Sequence, residues 1–235
     1  MGTKHIATNS NFTNYYGFTG YPLKDPVYAL TDLYYLGVDQ ATSVVNQAGG
    51  TNLTVTGTPT YTATSATCTS SAVFLTNTLD TANDTTLCGV FTPILTSPGG
   101  VIVGNLAGAL TSHFALWTAN NTALNIAGGG SVDNTTSANL GSATKVFAAA
   151  GFIGTTKFIA TGINGTLNFV SETFTRTLNA TEKFRIAGDN YATGINDTIS
   201  VSAASIHKVG LSLEQIQALY DYFRWYYSTK GVVVA

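Results

Sequence analysis

The sequence offers few groups that could make or break a covalent bond. It has three glutamates, Glu172, Glu182 and Glu214, and three histidines, His5, His113 and His207. Retaining glycoside hydrolysis sets two carboxyl groups about 5 Å apart, and a strand brings side chains to one face at every second residue. None of the glutamates has an acidic neighbour two positions away, and the aspartates are as isolated. Glu214 stands where a helix start favours negative charge. There is no Gly-x-Ser-x-Gly turn for a nucleophilic serine, and Gly128 to Gly130 lacks the lysine and the strand-to-helix setting of a phosphate loop. His113 flanks an apolar strand and reads as structural; His207 reads as a loop or sheet-edge residue. No catalytic residue is predicted, and the expectation is that the protein is not an enzyme.

Binding chemistry is better represented. Carbohydrate recognition needs an aromatic platform and amide or carboxylate hydrogen bonds. Trp117, on a strand end running into Asn120 and Asn121, is one candidate set, although a core role suits Trp117 equally. Asp189, Asn190 and Tyr191 form another. Trp225 lies in a helical pattern and reads as packing. The run Gly188 to Asp197 carries hard oxygen donors, so calcium is the one cofactor the sequence could take, on Asp189, Asn196 and Asp197. The alternative is a turn-rich loop whose Asn and Asp residues tolerate unusual φ angles. No other cofactor is called for.

Composition narrows the partners. Charged residues make up 9% of the chain, against roughly 25% in ordinary soluble proteins, and Thr, Asn, Ser and Gly supply the polarity instead. Lys and Arg are scattered singly at a net charge of −2. Nothing forms a basic stripe for nucleic acid or a polybasic cluster for lipid, and the apolar stretch 99–117 is too broken by Asn105, Ser112 and His113 to insert in a membrane. A surface this poor in charge suggests burial in an assembly. The eight Asn-x-Ser/Thr sequons follow from composition. Residues from Met1 onward show no apolar leader, so release by lysis would reconcile an extracellular-looking composition with a missing signal. Cys68 and Cys88 are either two buried free thiols or a disulfide closing a loop of about twenty residues, worth roughly 3 kcal/mol.

These groups must be positioned by strands. Residues 1–30 read as an extended arm with Phe12, Tyr15, Tyr16, Phe18, Tyr21 and Tyr28 among Gly and Pro, strapped over its own domain or docked on a partner. Residues 31–235 read as one domain. Short apolar or alternating runs recur at 33–38, 53–57, 71–75, 87–91, 100–104, 113–117, 123–127, 145–152, 157–161, 166–170, 184–188 and 199–203. Residues 58–61, with Pro59, suit an edge or a turn. Asn164-Gly165 is a strong hairpin signal, since both residues accept positive φ. Ser212 and Gln215 fit a capping box opening a helix through Leu213, Ile216, Leu219, Tyr220, Phe223 and Tyr227. Val232 to Val234 would be a last strand or an interface. This pattern predicts an all-β antiparallel sandwich with one short C-terminal helix.

The order of Phe184-Arg185-Ile186-Ala187-Gly188, Ile199 to His207, and the helix from Leu211-Ser212-Leu213-Glu214-Gln215-Ile216 to Tyr220 resembles the close of concanavalin A-like (laminin-G-like) jelly rolls. So does the stretch from Val146-Phe147-Ala148-Ala149 to the Asn164-Gly165 turn. The resemblance spans roughly residues 30–228. It implies the jelly-roll sandwich, and it carries little about function because that fold hosts lectins, hydrolases and mute structural modules. Domains of this kind, rich in Thr, Asn and Gly, are similar to those on bacteriophage virions. The expectation is therefore a virion surface protein, a tail fibre, appendage or capsid decoration subunit. It would contact virion structural proteins and copies of itself, with a trimer as one form, and adhere to a host cell-surface glycan. A stand-alone lectin and a purely structural decoration protein are the rivals.

Overall fold

The structure is a computed structural model that describes residues 25–69, 72–93, 100–105, 114–118, 123–128, 131–137, 145–188 and 198–235, with backbone alone across 123–137. Fifteen strands occur among the described residues: β1 Leu30–Tyr35, β2 Thr54–Thr56, β3 Thr60–Thr62, β4 Ser65–Cys68, β5 Val73–Leu79, β6 Thr85–Thr92, β7 Gly100–Gly104, β8 Phe114–Thr118, β9 Ala123–Gly128, β10 Ser131–Ser137, β11 Val146–Ile153, β12 Thr156–Ile163, β13 Thr166–Thr173, β14 Lys183–Ile186 and β15 Ile199–His207. A one-turn helix α1, Gln40–Ser43, follows β1, and α2, Leu213–Ser228, follows β15.

The strands form two sheets. One runs β13-β12-β11-β6-β15-β4-β3, with β1 also paired to β15; the other runs β10-β9-β8-β7-β14-β5-β2. Every described pairing is antiparallel. Consecutive side chains point to opposite faces, and the sequence uses both faces of the eight-stranded sheet. On β6, Leu87 and Phe91 enter the core between the sheets, whereas Cys88 and Val90 face outward under α2. On β11, Val146, Ala148, Ala150 and Phe152 point inward, and Phe147 and Ala149 point to the helix. That is why the β6 and β11 runs are apolar throughout rather than alternating. The predicted all-β sandwich with a C-terminal helix is the observed architecture.

Local chemistry sets the joints. Asn164 and Gly165 adopt φ of 53° and 82° and turn β12 into β13. The Ser212 hydroxyl accepts from the Gln215 N–H, and the Gln215 side chain accepts from the Ser212 N–H. Helix α2 can sit close because the next-to-last residue of β12 is a glycine: a Cβ on Gly162 would lie 2.3 Å from the Tyr220 ring. The Tyr220 hydroxyl then accepts from the Gly165 N–H and donates to the Ala235 carbonyl, tying hairpin, helix and tail together.

Several expectations need revising. His207 is neither in a loop nor at a sheet edge. It ends β15, between β6 and β1, fully buried, with Nδ1 2.9 Å from the Tyr28 carbonyl and Nε2 3.0 Å from Ser205 Oγ. Burial pushes its pKa down to about 4. Trp225 packs only at the margin, 37% exposed with its ring 5.8 Å from that of Tyr222. The tail 232–234 is not a strand; Val234 is buried and Val233 exposed. Cys68 and Cys88 are free and buried, one facing the inter-sheet core and the other the helix, so the sheet itself separates them. Burial raises both thiols to about 12. The last residues of the 1–30 segment are built into the sandwich: Pro26–Tyr28 make a 3-10 turn and Tyr28 is buried beside α2.

Candidate functional site

Strand β8 positions the tryptophan. Phe114 and Leu116 enter the inter-sheet core, so Ala115 and Trp117 face out of the seven-stranded sheet. Trp117 pairs across to Val101 on β7 and Asn125 on β9 and packs with Val101 and Ala115. Gly104 lies opposite Ala115, where a Cβ would come within 2.3 Å of the alanine methyl. Among the described side chains, Val101 and Ala115 pack against a half-buried indole. Its N–H is turned from solvent and has no hydrogen-bond partner among the described residues, a group whose pairing is worth about 1–3 kcal/mol. Such a surface can take an apolar ring face. Asn120, Asn121, Asp189, Asn190, Tyr191, Asn196 and Asp197 lie outside the described residues. So do His113 and the arm positions Phe12, Tyr15, Tyr16, Phe18 and Tyr21. Among the described residues no three His, Cys, Asp or Glu side chains gather as a metal site.

The described carboxylates are engaged with partners of other kinds. Asp80, buried between the sheets, pairs with Arg176 and accepts from Asn105 Nδ2 at 3.4 Å; burial pushes its carboxyl up despite the guanidinium beside it. Arg176 lies 4.7 Å from the Phe114 and Phe152 ring centres. Lys157, fully buried, meets half-exposed Glu172 at 2.6 Å. Asp32 accepts from the Tyr34 hydroxyl, Asn46 Nδ2 and the Thr78 hydroxyl. Asp39 caps α1 through the Thr42 N–H, which lowers its pKa. These pairs brace the sandwich.

Sequence reasoning missed a third region, where β1 meets the end of α2. Tyr35 stacks on Tyr226 with ring centres 4.3 Å apart, and its hydroxyl lies 2.7 Å from that of Tyr222. Beside this stack is a hollow of about 50 Å³ between Tyr35, Val38, Thr42, Thr64, Tyr226 and Lys230. Val38 holds a φ of 65° and is 63% exposed, a strained conformation for a β-branched residue. Behind the wall lies Lys145, 6% exposed, donating to the Thr64 carbonyl at 3.3 Å and to the Ser202 hydroxyl. Its burial draws its pKa down to about 8. The aromatic spacing of α2 was legible, but nothing local shows that β1 is its neighbour.

No family model matches the sequence, and no curated protein matches it. Solved structures do. A Trypanosoma rangeli sialidase mutant with trans-sialidase activity superposes with a TM-score of 0.63 at 12% identity, over 85% of this chain and 34% of that one. Domain 4 of AbnA, an extracellular arabinanase from Geobacillus stearothermophilus, in complex with arabinotriose, gives 0.60 at 17% identity, over 81% of this chain and 97% of that one. The receptor-binding domain of a botulinum neurotoxin C/D mosaic gives 0.57 at 11%, over 83% and 51%. The chain thus spans about a third of the sialidase and half of the toxin domain, but nearly all of the arabinanase domain. At these identities the likeness shows the fold: a two-sheet β-sandwich of jelly-roll type.

Proposed function

We propose that this chain is a non-catalytic carbohydrate-binding β-sandwich with Trp117 as its platform. The observation that carries the reading is the half-buried indole packed on Val101 and Ala115 of an outer sheet face, where a sugar ring can stack. The arabinotriose bound to the similar arabinanase domain supports the class of ligand. The engagement of the buried carboxylates Asp32 and Asp80 with structural partners supports a role without catalysis. The charge-poor surface supports display on a larger assembly. Our finer reading is a bacteriophage virion surface subunit that self-associates through the aromatic 1–30 segment.

The test is a glycan array followed by calorimetry on the hits. Wild-type protein is expected to retain a defined glycan set. Trp117→Ala should weaken binding at least ten-fold, about 1.4 kcal/mol, at a stability cost below about 1 kcal/mol. Wild-type protein that retains no glycan, or a variant that binds as well, would overturn the reading. Deleting residues 1–30 tests the finer one, which fails if oligomeric state and particle association are unchanged.

A further inference from the structure

The hollow between β1 and α2 is positive in a way the fold does not require. Lys145 is buried against two neutral acceptors, and no ion pair joins it to a described carboxylate. A buried ammonium without a counter-ion is costly. Lys230, exposed, stands 4.9 Å from the centre of the Tyr226 ring on the opposite side of the hollow. The usual service of lysines at this position is to satisfy a helix C-terminus, and here that is done without them. The Trp225 carbonyl accepts from the Thr229 N–H and the Ser228 hydroxyl, Tyr226 from the Thr229 hydroxyl, and Tyr227 from the N–H groups of Lys230 and Val232. The nearby carboxylate, Asp39, is turned onto the start of α1, where it accepts from the Thr42 N–H and keeps its charge. One lysine, Lys230, therefore lines a tyrosine-walled space, and a second, Lys145, is buried behind its wall.

Size narrows the occupant. A cavity of about 150 Å³ holds a benzene ring; this hollow is about a third of that. It takes a group of three or four heavy atoms and leaves the rest of the ligand outside, against Tyr35 and Tyr226. The strained, exposed Val38 at the rim is the kind of backbone feature that binding sites retain.

We propose that this hollow seats the carboxylate of a small organic acid, and in the glycan-binding reading the carboxylate of an acidic sugar. Lys230 contacts the anion, Thr42 and Thr64 line the same space, and Lys145 contributes a fixed positive field from behind Thr64 and Tyr227. Only the identity of the ligand's body rests on the glycan reading. The groups around Lys145 are Thr64 from the β3–β4 turn, Ser202 from β15 and Tyr227 from α2, with Lys230, Asp39, Tyr35 and Tyr226 further out.

The experiment is calorimetric or NMR titration of the full chain with acetate, glucuronate and glucose, at pH 7 and pH 9. Acetate and glucuronate should bind and glucose should not. Lys230→Gln should weaken both acids at least five-fold, and both should bind less tightly at pH 9, where Lys145 is largely neutral. Glucuronate binding more tightly than acetate would identify the sugar acid; equal binding would identify the free carboxylate, with the hollow's role upheld. Glucose binding as well as glucuronate, indifference to Lys230→Gln, or no acid binding at all would overturn the proposal. Acid binding that survives while Trp117→Ala leaves array binding unchanged would sink the glycan reading alone.

Discussion

The two outer faces of the sandwich are treated in opposite ways. On the eight-stranded sheet, Cys88, Val90, Phe147, Phe158 and Ala203 are sealed by Leu219, Tyr220, Phe223 and Tyr227 of α2. On the seven-stranded sheet the outer cluster among the described residues is only Val101, Ala115 and Trp117. The first face was given a lid and became a second core. In the proposed reading the half-buried ring on the second face holds a ligand instead. On that reading a large aromatic residue serves stability on one face and recognition on the other, and substitutions on the two should separate these effects.

The largest effect is expected at Phe147, whose ring lies 5.5 Å from that of Tyr220 and 5.9 Å from that of Phe223. Phe147→Ala should cost about 3–5 kcal/mol in denaturant unfolding and leave glycan affinity of the folded fraction intact; a cost below that of Trp117→Ala would break the contrast. Next comes pH. His207 has a pKa of about 4 in the fold and about 6.5 when unfolded. The unfolded chain therefore binds more protons between these values, and stability should fall as pH drops from 6.5 to 4, by up to about 3 kcal/mol. His207→Gln should flatten that limb of the stability–pH curve; an unchanged slope would contradict it.

Gly162→Ala presses a methyl into the Tyr220 ring and should cost about 1–3 kcal/mol, read as a lower thermal midpoint. A neutral result would mean that α2 is less closely held than described. The smallest effect is a gain. Val38→Gly relieves a β-branched residue at positive φ and should stabilise by about 1 kcal/mol, with a measurable loss of acid binding if the rim conformation serves the hollow.

The sequence made legible what is local. The Asn164-Gly165 turn and the Ser212 capping box each lie within four residues, and both form as read. Polar strands were harder. β10, Ser131–Ser137, and β4, Ser65–Cys68, carry little apolar signal, and their strand state comes from pairing with β9 and β15. Trp225 carried the helical spacing of a core residue yet falls at the margin of the stripe. His207 escaped because a buried imidazole needs two partners from elsewhere, Ser205 two residues back and Tyr28 far up the chain. The hollow joins Tyr35 to Tyr226 across nearly the whole sequence, and no window of residues shows that.

The β1–β15 ladder has a mechanical consequence. The first described strand pairs antiparallel with the last, with Leu30 opposite His207. A tether pulling on residues before Asp25 would meet that end of the ladder first and peel it one bond at a time, the weakest way to load a sheet. What stands in the way is the bond between Tyr28 and His207 and the burial of the Tyr28 ring beneath α2. In the adhesive role proposed above, this short turn would be the latch, and protonating one imidazole would loosen it.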